Sequence, residues 1–185
     1  MQISEIKLEL EKHHASSFGW AMSCCRLNRM EAEEVLQIAY LKILEGKARY
    51  EGKAAFKTWL FAVIRNTALN ERRKGLMRIV TLSAGAGRLR GLSQTEDPTR
   101  ALERSETQAH FRQALTKLSS RQREILHLVF YEQLTLQETA EVLSISIGTV
   151  RKHYERAKVR LRQLMQNAGN NYGIHWRREK NPGAV

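Results

Sequence analysis

The chain has 185 residues and a formal net charge of +12 at pH 7, an excess of positive charge that favours a polyanionic partner such as nucleic acid. Hydrophobic residues make up 42% of the sequence, which is enough for a packed core. No signal-peptide pattern opens the chain and no apolar run approaches a membrane span, so we expect a soluble, cytoplasmic protein without membrane insertion.

The first 74 residues show helical periodicity. Apolar side chains recur at three- and four-residue spacing, and short breaks at Asn28-Arg29 and between Gly46 and Gly52 predict a compact helical bundle. The adjacent Cys24 and Cys25 are expected to pack as small hydrophobic residues, because neighbouring cysteines rarely form a structural disulfide. The stripes expected to face the core are Ile6, Leu10, Phe18, Met22 and Cys25, then Val35, Ile38, Leu41 and Leu44, and then Phe56, Leu60, Val63 and Ile64.

Residues 31–41 open with three acidic side chains, Glu31, Glu33 and Glu34. Acids at a helix start interact favourably with the helix dipole, which is a sufficient structural explanation. The same face would repel DNA, so if it is functional it is expected to bind a protein.

The segment from Phe56 to Lys74 carries a second pattern, in which Asn66, Asn70 and Arg73 share one helix face. Asparagine can contact base edges, arginine neutralises phosphates, and an aromatic ring such as Trp59 can stack on an unpaired base. Since unstacked bases occur only where a duplex has opened, the combination indicates contact with melted DNA. The alternative is that Trp59 belongs to the core.

Glycines, Ser/Thr residues and Pro98 interrupt the periodicity between Gly75 and Thr107, which predicts a linker, flexible over much of its length. A phosphate-binding loop is excluded there because Gly85-Ala86-Gly87-Arg88 is not followed by the G-K-[ST] sequence. Helical order returns in residues 108–166, with an N-cap expected at Ser119-Ser120, and residues 167–185 form a loose basic tail. We therefore predict an all-α fold of two small domains, residues 1–74 and 108–166, joined by the 75–107 linker.

Residues 134–153 have the pattern of a helix-turn-helix, two short amphipathic helices joined by a tight turn. Ser146 suits the N-cap of the second helix. The range from Ile145 to Gln166 contains six Lys/Arg residues and one acidic residue, whereas the range from Leu115 to Leu143 contains three Lys/Arg residues and four acidic residues. The second helix is expected to bury Val150, Tyr154, Ala157, Leu161 and Leu164 and to expose Thr149, Arg151, Lys152, Glu155, Arg156 and Arg162.

This concentration of positive charge on one helix predicts a recognition helix in the major groove of DNA. Arg151 and Arg156 could bind guanine in a bidentate way, and Glu155 could accept a hydrogen bond from cytosine. The structural alternative is an exposed basic face that is only solvated by water.

Taken together, these motifs resemble those of bacterial sigma factors of the sigma-70 family, in the small two-domain extracytoplasmic-function (ECF) group. The first motif comprises Phe56, Trp59, Leu60, Asn66, Asn70 and Arg73, and the second Leu115, Leu118, Gln122, Arg123, Ile125 and Leu126, followed by the helix-turn-helix. Members of the family often carry glycine where Gln133 and Ser144 stand and an acid at Ile38. Ser144 is therefore expected to adopt a positive φ, with modest strain.

The resemblance implies that the protein binds RNA polymerase core, through the β′ clamp helices and the β flap, and promoter DNA. An anti-sigma protein is a further partner found for many relatives. The linker would run through the RNA-exit region of the polymerase. The resemblance implies that the clamp helices contact Glu31, Glu33, Glu34, Gln37 and Leu41. It implies that the −10 element contacts Asn66, Asn70, Arg73 and Trp59, with the loop 47–55. It implies that the −35 element contacts Thr149, Arg151, Lys152, Glu155 and Arg156.

No catalytic activity and no cofactor or metal are expected, because polymerase core supplies the chemistry and the six histidines converge in no ligand motif. Three alternatives remain open. A one-component regulator would need a sensory domain, a sigma mimic that titrates an anti-sigma protein would lack the basic recognition face, and a DNA-modifying enzyme would need clustered carboxylates or metal ligands.

Overall fold

The computed structural model describes residues 2–83, 111 and 113–167, and within these ranges it contains helices and connecting loops without a β-strand. The all-α prediction is thereby confirmed. Most of the predicted linker and the predicted basic tail lie outside the described residues. The helices are α1 (Ile3–Lys12), α2 (His14–Cys24), α3 (Arg29–Leu44), α4 (Phe56–Ser83), α5 (Ser120–Leu126), which continues into a π-helical turn (His127–Tyr131), α6 (Leu136–Leu143) and α7 (Ile147–Asn167).

Helices α1 to α4 pack as the predicted bundle around the fully buried Trp20, whose indole N–H donates to the carbonyl of Phe61 at 2.9 Å. The core stripe of α3 differs from the prediction. Leu41 and Leu44 are 56% and 37% exposed, because small alanines let the helix pack closely along a different line. That line consists of Ala32, Val35, Leu36, Ala39 and Ile43.

Helix α4 ends at Ser83, whereas the composition of the segment after Lys74 predicted a linker beginning at Gly75. A glycine inside a helix costs only about 1 kcal/mol relative to alanine. The Leu-Met-Arg sequence that follows Gly75 consists of good helix formers, which offset this cost. The glycine-rich part of the predicted linker, from residue 84 onward, lies outside the described residues.

The cap predicted at Ser119 is present, and α6 has a further cap that was not predicted. Ser119 and Gln122 form a capping box at the start of α5, and Thr135 and Glu138 form another at the start of α6. Ser144 ends α6 with φ 52° and ψ 48°, so the predicted left-handed turn is confirmed. Gln133, the other position where relatives often carry glycine, also has a positive φ, of 56°.

The two domains share one hydrophobic cluster, an arrangement that the sequence did not predict. Helix α4 packs against α6, while α2 lies against α5 and the π-helical turn. The ring of Trp20 lies 5.5 Å from that of His127, centroid to centroid. We call this packing of α2 and α4 on α5, the π-helical turn and α6 the interdomain contact. Its fully buried apolar side chains include Trp20, Phe61, Ile64, Ile125, Leu128, Val142 and Leu143.

Two ion pairs cross the interdomain contact. The guanidinium of Arg65 is buried, with its Nε 3.4 Å from Glu124 Oε2 and its Nη1 donating to the carbonyl of Leu143 at 3.4 Å. The Nζ of Lys57 lies 2.9 Å from Glu132 Oε2 and donates to the carbonyl of Glu132 at 3.0 Å. The domains are thus held together by polar contacts as well as by apolar packing.

Glu132 makes the interdomain contact dependent on pH. Burial alone would raise the pKa of its carboxyl, but the neighbouring His127 and Lys57 outweigh burial and lower that pKa below the usual 4.5. A depressed pKa in the folded state stabilises the fold at pH values above the unfolded pKa. This stabilisation is lost as the pH falls through the folded pKa.

The substitution Glu132→Gln should therefore reduce the free energy of unfolding at pH 7 by about 1.5–3 kcal/mol, the usual contribution of a hydrogen bond to a charged group. The difference from wild type should shrink as the pH falls below 4.5, where the native carboxylate itself becomes protonated. Urea denaturation at a series of pH values measures both quantities. Glu45→Gln, which removes an exposed pair with Lys47, is the control and should change little. If Glu132→Gln reduced the free energy of unfolding equally at pH 7 and at pH 3, this account would be contradicted.

Candidate nucleic-acid and polymerase interfaces

Ser146 caps the N-terminus of α7, as predicted. Its Oγ accepts a hydrogen bond from the backbone N–H of Thr149 at 3.2 Å and lies 2.9 Å from the Thr149 hydroxyl. Val150, Ala157 and Leu161 are buried and Tyr154 is half-buried, so the predicted stripe faces the core. The first two turns of α7 consequently present their polar side to solvent.

The structure brings the five predicted −35 residues together on this side. Arg151, Lys152, Glu155 and Arg156 are exposed, and Thr149 is half-exposed. Glu155 pairs with Lys158 at 2.8 Å. This pairing and the mixture of charges leave a basic face with one carboxylate in it, which can accept a hydrogen bond from a base amino group.

A second polar face lies on α4, where Asn66, Asn70 and Arg73 are all exposed and lie along one side of the helix. Trp59 lies two turns earlier on the same side and is half-buried. Its ring contacts those of Tyr50 and Phe56, with centroid distances of 5.3 and 5.2 Å. Trp59 is therefore both part of an aromatic cluster and partly open to solvent.

The loop between α3 and α4 covers this aromatic cluster. Gly46 and Gly52 have φ values of 70° and 73°, which a glycine adopts without strain. The Tyr50 hydroxyl donates to the carbonyl of Ala54 at 2.7 Å and anchors the loop next to Trp59. The loop and the α4 face thus form one continuous surface.

A third face lies on α3, which is capped by Asn28 through a hydrogen bond from the Glu31 backbone N–H at 3.2 Å. Glu34, Gln37 and Leu41 are exposed along one line of the helix. Glu33 is exposed beside them and pairs with Arg29 at 2.8 Å, whereas Glu31 is half-buried.

The same line on α3 contains Met30, which is 81% exposed and which the sequence analysis missed. Met30 could have been identified from the spacing of four, three and four residues that joins it to Glu34, Gln37 and Leu41. Methionine is enriched in protein–protein interfaces, and the exposed apolar side chains at the two ends of this stripe favour a protein partner. Met30 and Leu41 are the side chains that would bury apolar area in a partner.

Arg65 was also missed, although it lies within the first motif. Periodicity places it beside the exposed Asn66, and a charged side chain is expected to point to solvent. Its partner Glu124 is 59 residues away in the sequence, and nothing local indicates that pairing.

Among the described residues no three His, Cys, Asp or Glu side chains lie close enough to hold a metal ion. No helix in the same part of the chain is both long and apolar enough to cross a membrane. Both cysteines are reduced and buried, and burial is the main cause that raises the pKa of Cys25 to about 11 and that of Cys24 well above its usual value.

Residues 10–76 match the family described as Sigma-70 region 2, and residues 114–163 match Sigma-70, region 4. These two ranges contain the α3 and α4 faces and the α7 face respectively. The order of the two regions agrees with the order of the two motifs in the sequence.

Among curated proteins, the chain is 30% identical over 142 residues to the RNA polymerase sigma-H factor of Pseudomonas aeruginosa, covering 74% of each chain. It is 29% identical to the sigma factor YlaC of Bacillus subtilis, over 72% of this chain and 77% of that protein. The ECF sigma factor SigW of the same organism is 27% identical, over 78% of this chain and 81% of the relative.

The fold is similar to that of the sigma factor RpoE in its complex with the anti-sigma factor NepR from Bartonella quintana. The TM-score is 0.68, the identity is 25%, and the match covers 88% of this chain and 97% of RpoE. CnrH, solved with the cytosolic domain of CnrY, has the same fold with a TM-score of 0.57 at 17% identity, over 87% of each chain. With both regions matched in order and relatives aligned over most of their length, the chain belongs to the sigma-70 family of RNA polymerase sigma factors, in its ECF group.

Proposed function

We propose that this protein binds the core of bacterial RNA polymerase in the cytoplasm and directs it to promoters that carry −35 and −10 elements. It supplies no catalytic group of its own, and its role is to recognise and open promoter DNA for transcription initiation. The observation that carries the proposal is the presence of three exposed faces on one chain. The α3 face is apolar and acidic, and the α4 and α7 faces carry side chains suited to DNA.

The α3 face binds the clamp helices of the β′ subunit. Glu34, Gln37 and Leu41 contact them directly, and Glu31 and Glu33 lie at the edge. The exposed carboxylates disfavour DNA as the partner, and the exposed Met30 and Leu41 offer apolar area to a protein. The second domain, proposed to span residues 108–166, contacts the β flap.

The α4 face binds the −10 element. Asn66 and Asn70 contact base edges, Arg73 contacts phosphate, and the exposed part of Trp59 stacks on an unpaired base. Residues 47–55 lie beside Trp59 and hold the opened strand. This assignment belongs to the first domain, which we propose spans residues 1–74, with the DNA-binding end of α4 leading into the 75–107 linker.

The α7 face enters the major groove of the −35 element. Thr149, Arg151 and Lys152 lie in the first turns, where a recognition helix meets base edges, and Arg156 follows one turn later. Glu155 favours a cytosine within the element because a carboxylate accepts from the cytosine amino group. An anti-sigma protein is a further proposed partner, since the similar RpoE was solved with one.

The function is tested by transcription in vitro with purified polymerase core and a library of genomic promoter fragments. We expect specific transcripts that depend on this protein and thymines near −10 that become reactive to permanganate as the duplex opens. The variant Asn66→Ala/Asn70→Ala should form the complex with core but lose this reactivity. Absence of core binding and of any specific transcript for the wild-type protein would refute the proposal.

The −35 assignment is tested by Arg151→Ala/Arg156→Ala. Each lost bidentate contact to guanine removes about 1–3 kcal/mol of discrimination, so the variant should lose at least about tenfold in preference for the −35 sequence. Binding to polymerase core should be unchanged.

The matched control is Lys7→Ala/Lys12→Ala, which removes two exposed positive charges from α1. It should retain the −35 preference. If the arginine variant instead loses core binding, α7 serves packing rather than DNA recognition.

The polymerase-binding face is tested by Leu41→Lys. The substitution keeps helix propensity but places a charge at an apolar end of the proposed interface, and we expect a loss of core affinity of about tenfold or more. Leu8→Lys on α1 is the control, because Leu8 is 66% exposed and lies outside the stripe. Equal effects of the two substitutions, measured by fluorescence anisotropy with core, would contradict the assignment of the α3 face.

A further inference from the structure

The later part of α4 leaves the bundle that buries the first part of the helix. From Leu69 to Met77, which we call the exposed segment, every residue is exposed except the half-buried Glu71. A helical segment that packs on no core is usually polar on all sides, because its side chains meet water. The exposed segment instead presents three large apolar side chains, those of Leu69, Leu76 and Met77, which are 38%, 61% and 72% exposed.

Met77 continues the line of side chains proposed to contact the −10 element. Asn66, Asn70, Arg73 and Met77 follow one another at spacings of four, three and four residues, which places them on one side of the helix. Trp59 lies on the same side at the other end of the line. Met77 also lies one residue beyond the range matched to Sigma-70 region 2, which ends at residue 76.

The charges of the exposed segment favour nucleic acid over protein as its partner. The segment contains three cations, Arg72, Arg73 and Lys74, and one acid, Glu71, whose Oε1 lies 2.8 Å from Lys74 Nζ. Both arginines are exposed, and a guanidinium is well suited to bind phosphate. On α3, by contrast, carboxylates lie beside the exposed apolar side chains, and these carboxylates would repel a DNA strand.

Apolar side chains beside phosphate-binding arginines fit a strand whose bases are unpaired. A base that has left the stack exposes an apolar face, and burying this face against a side chain is favourable. Methionine is unbranched and polarisable, so its side chain adapts to the face of any base. Apolar side chains, methionine among them, are inserted between base steps by many proteins that distort DNA.

We propose that Met77 is a further DNA-contacting residue, which packs its side chain against the face of an unpaired base at one edge of the opened −10 element. Leu76 adds apolar area beside it. The inference rests on the proposed function, because it requires an opened −10 element on the α4 face.

The rise of the helix sets the distance between this base and the base that Asn66 contacts. Met77 follows Asn66 by 11 residues, which span about 16 Å of helix axis at about 1.5 Å per residue. Stacked nucleotides of one strand are about 3.4 Å apart. The two bases are therefore about five nucleotides apart in a stacked strand, and fewer in an extended one.

Gly75 lies in the helix between Arg73 and Met77. A Cβ added at Gly75 would have no neighbouring atom within 4 Å, so an alanine fits there. Alanine favours the helical state over glycine by about fivefold. Gly75→Ala should therefore hold Met77 more firmly on the line and should strengthen binding to the opened strand, by at most about fivefold.

The test measures binding of the protein, assembled with polymerase core, to a fork fragment of a promoter that it transcribes in vitro. The −10 strand of the fragment is unpaired, and abasic sites placed one at a time along it identify each base that contributes to affinity. An abasic site at the base on Met77 should weaken wild-type binding roughly three- to tenfold, through the loss of a partly buried apolar contact.

Met77→Gln keeps the helix propensity and the length of the side chain but makes its end polar. It should weaken binding to the intact strand by a similar factor and should be insensitive to that one abasic site, because the two changes remove the same contact. Met77→Leu should recover most of the affinity that Met77→Gln loses.

Two further variants serve as references. Ile3→Gln is the matched control, because Ile3 is 60% exposed on α1 and lies outside the α4 face. It should bind the fork fragment and polymerase core as the wild type does. Asn66→Ala should become insensitive to a different abasic site, about five nucleotides or fewer from the site of Met77.

If Met77→Gln retains the wild-type affinity and remains sensitive to every abasic site, Met77 contacts no base and the inference is overturned. The proposed function is upheld in that case when Asn66→Ala still loses its site. Weaker binding of Met77→Gln to polymerase core would place Met77 against the polymerase and would overturn the inference equally. Weaker fork binding by Gly75→Ala would show that Met77 does not reach the strand from a continuous helix. If the wild-type complex binds no fork fragment, the proposed function itself fails and the inference fails with it.

Discussion

The arrangement of the two domains depends on helix α4, which packs against three other helices. It lies against α2 and α3 in its own domain and against α6 of the other domain. Leu60, Phe61 and Ile64 are fully buried, and Arg65 is nearly so. From Phe56 to Ala68 every side chain of α4 except Asn66 is buried or half-buried, so packing leaves Asn66 open to solvent in this part of the helix. Leu69, Asn70, Arg72 and Arg73 are all exposed, and Asn70 and Arg73 continue the line of Asn66. Packing thus places the start of the proposed contact with the −10 element.

Arg65 shows how this packing is made specific. A buried guanidinium is costly unless it is paired and hydrogen-bonded, and here both partners, Glu124 and the Leu143 carbonyl, belong to the second domain. Apolar surfaces alone could slide over one another, whereas the guanidinium fits only one register.

Local chemistry explains which features could be predicted from the sequence. The cap at Ser146, the left-handed Ser144 and the exposed basic side of α7 each depend on residues within one turn of helix. The α3 stripe was predicted wrongly because large apolar residues were assumed to be buried, whereas Ala32 and Ala39 form the close contact and Leu41 faces solvent. The Arg65–Glu124 pair could not be predicted, since it joins positions 59 residues apart across two domains. Of the candidate sites, the three faces follow from periodicity and charge, but their spatial relation requires the tertiary structure.

That spatial relation has a consequence for how affinity is distributed. Two modest DNA contacts on one chain strengthen each other only when both can be made simultaneously, because the second contact then occurs at a high effective concentration. The proposed −35 and −10 contacts lie on separate domains, so promoter affinity depends on the distance between the α7 and α4 faces as well as on each contact taken alone. A single basic face would retain only the weak, salt-dependent attraction for phosphates.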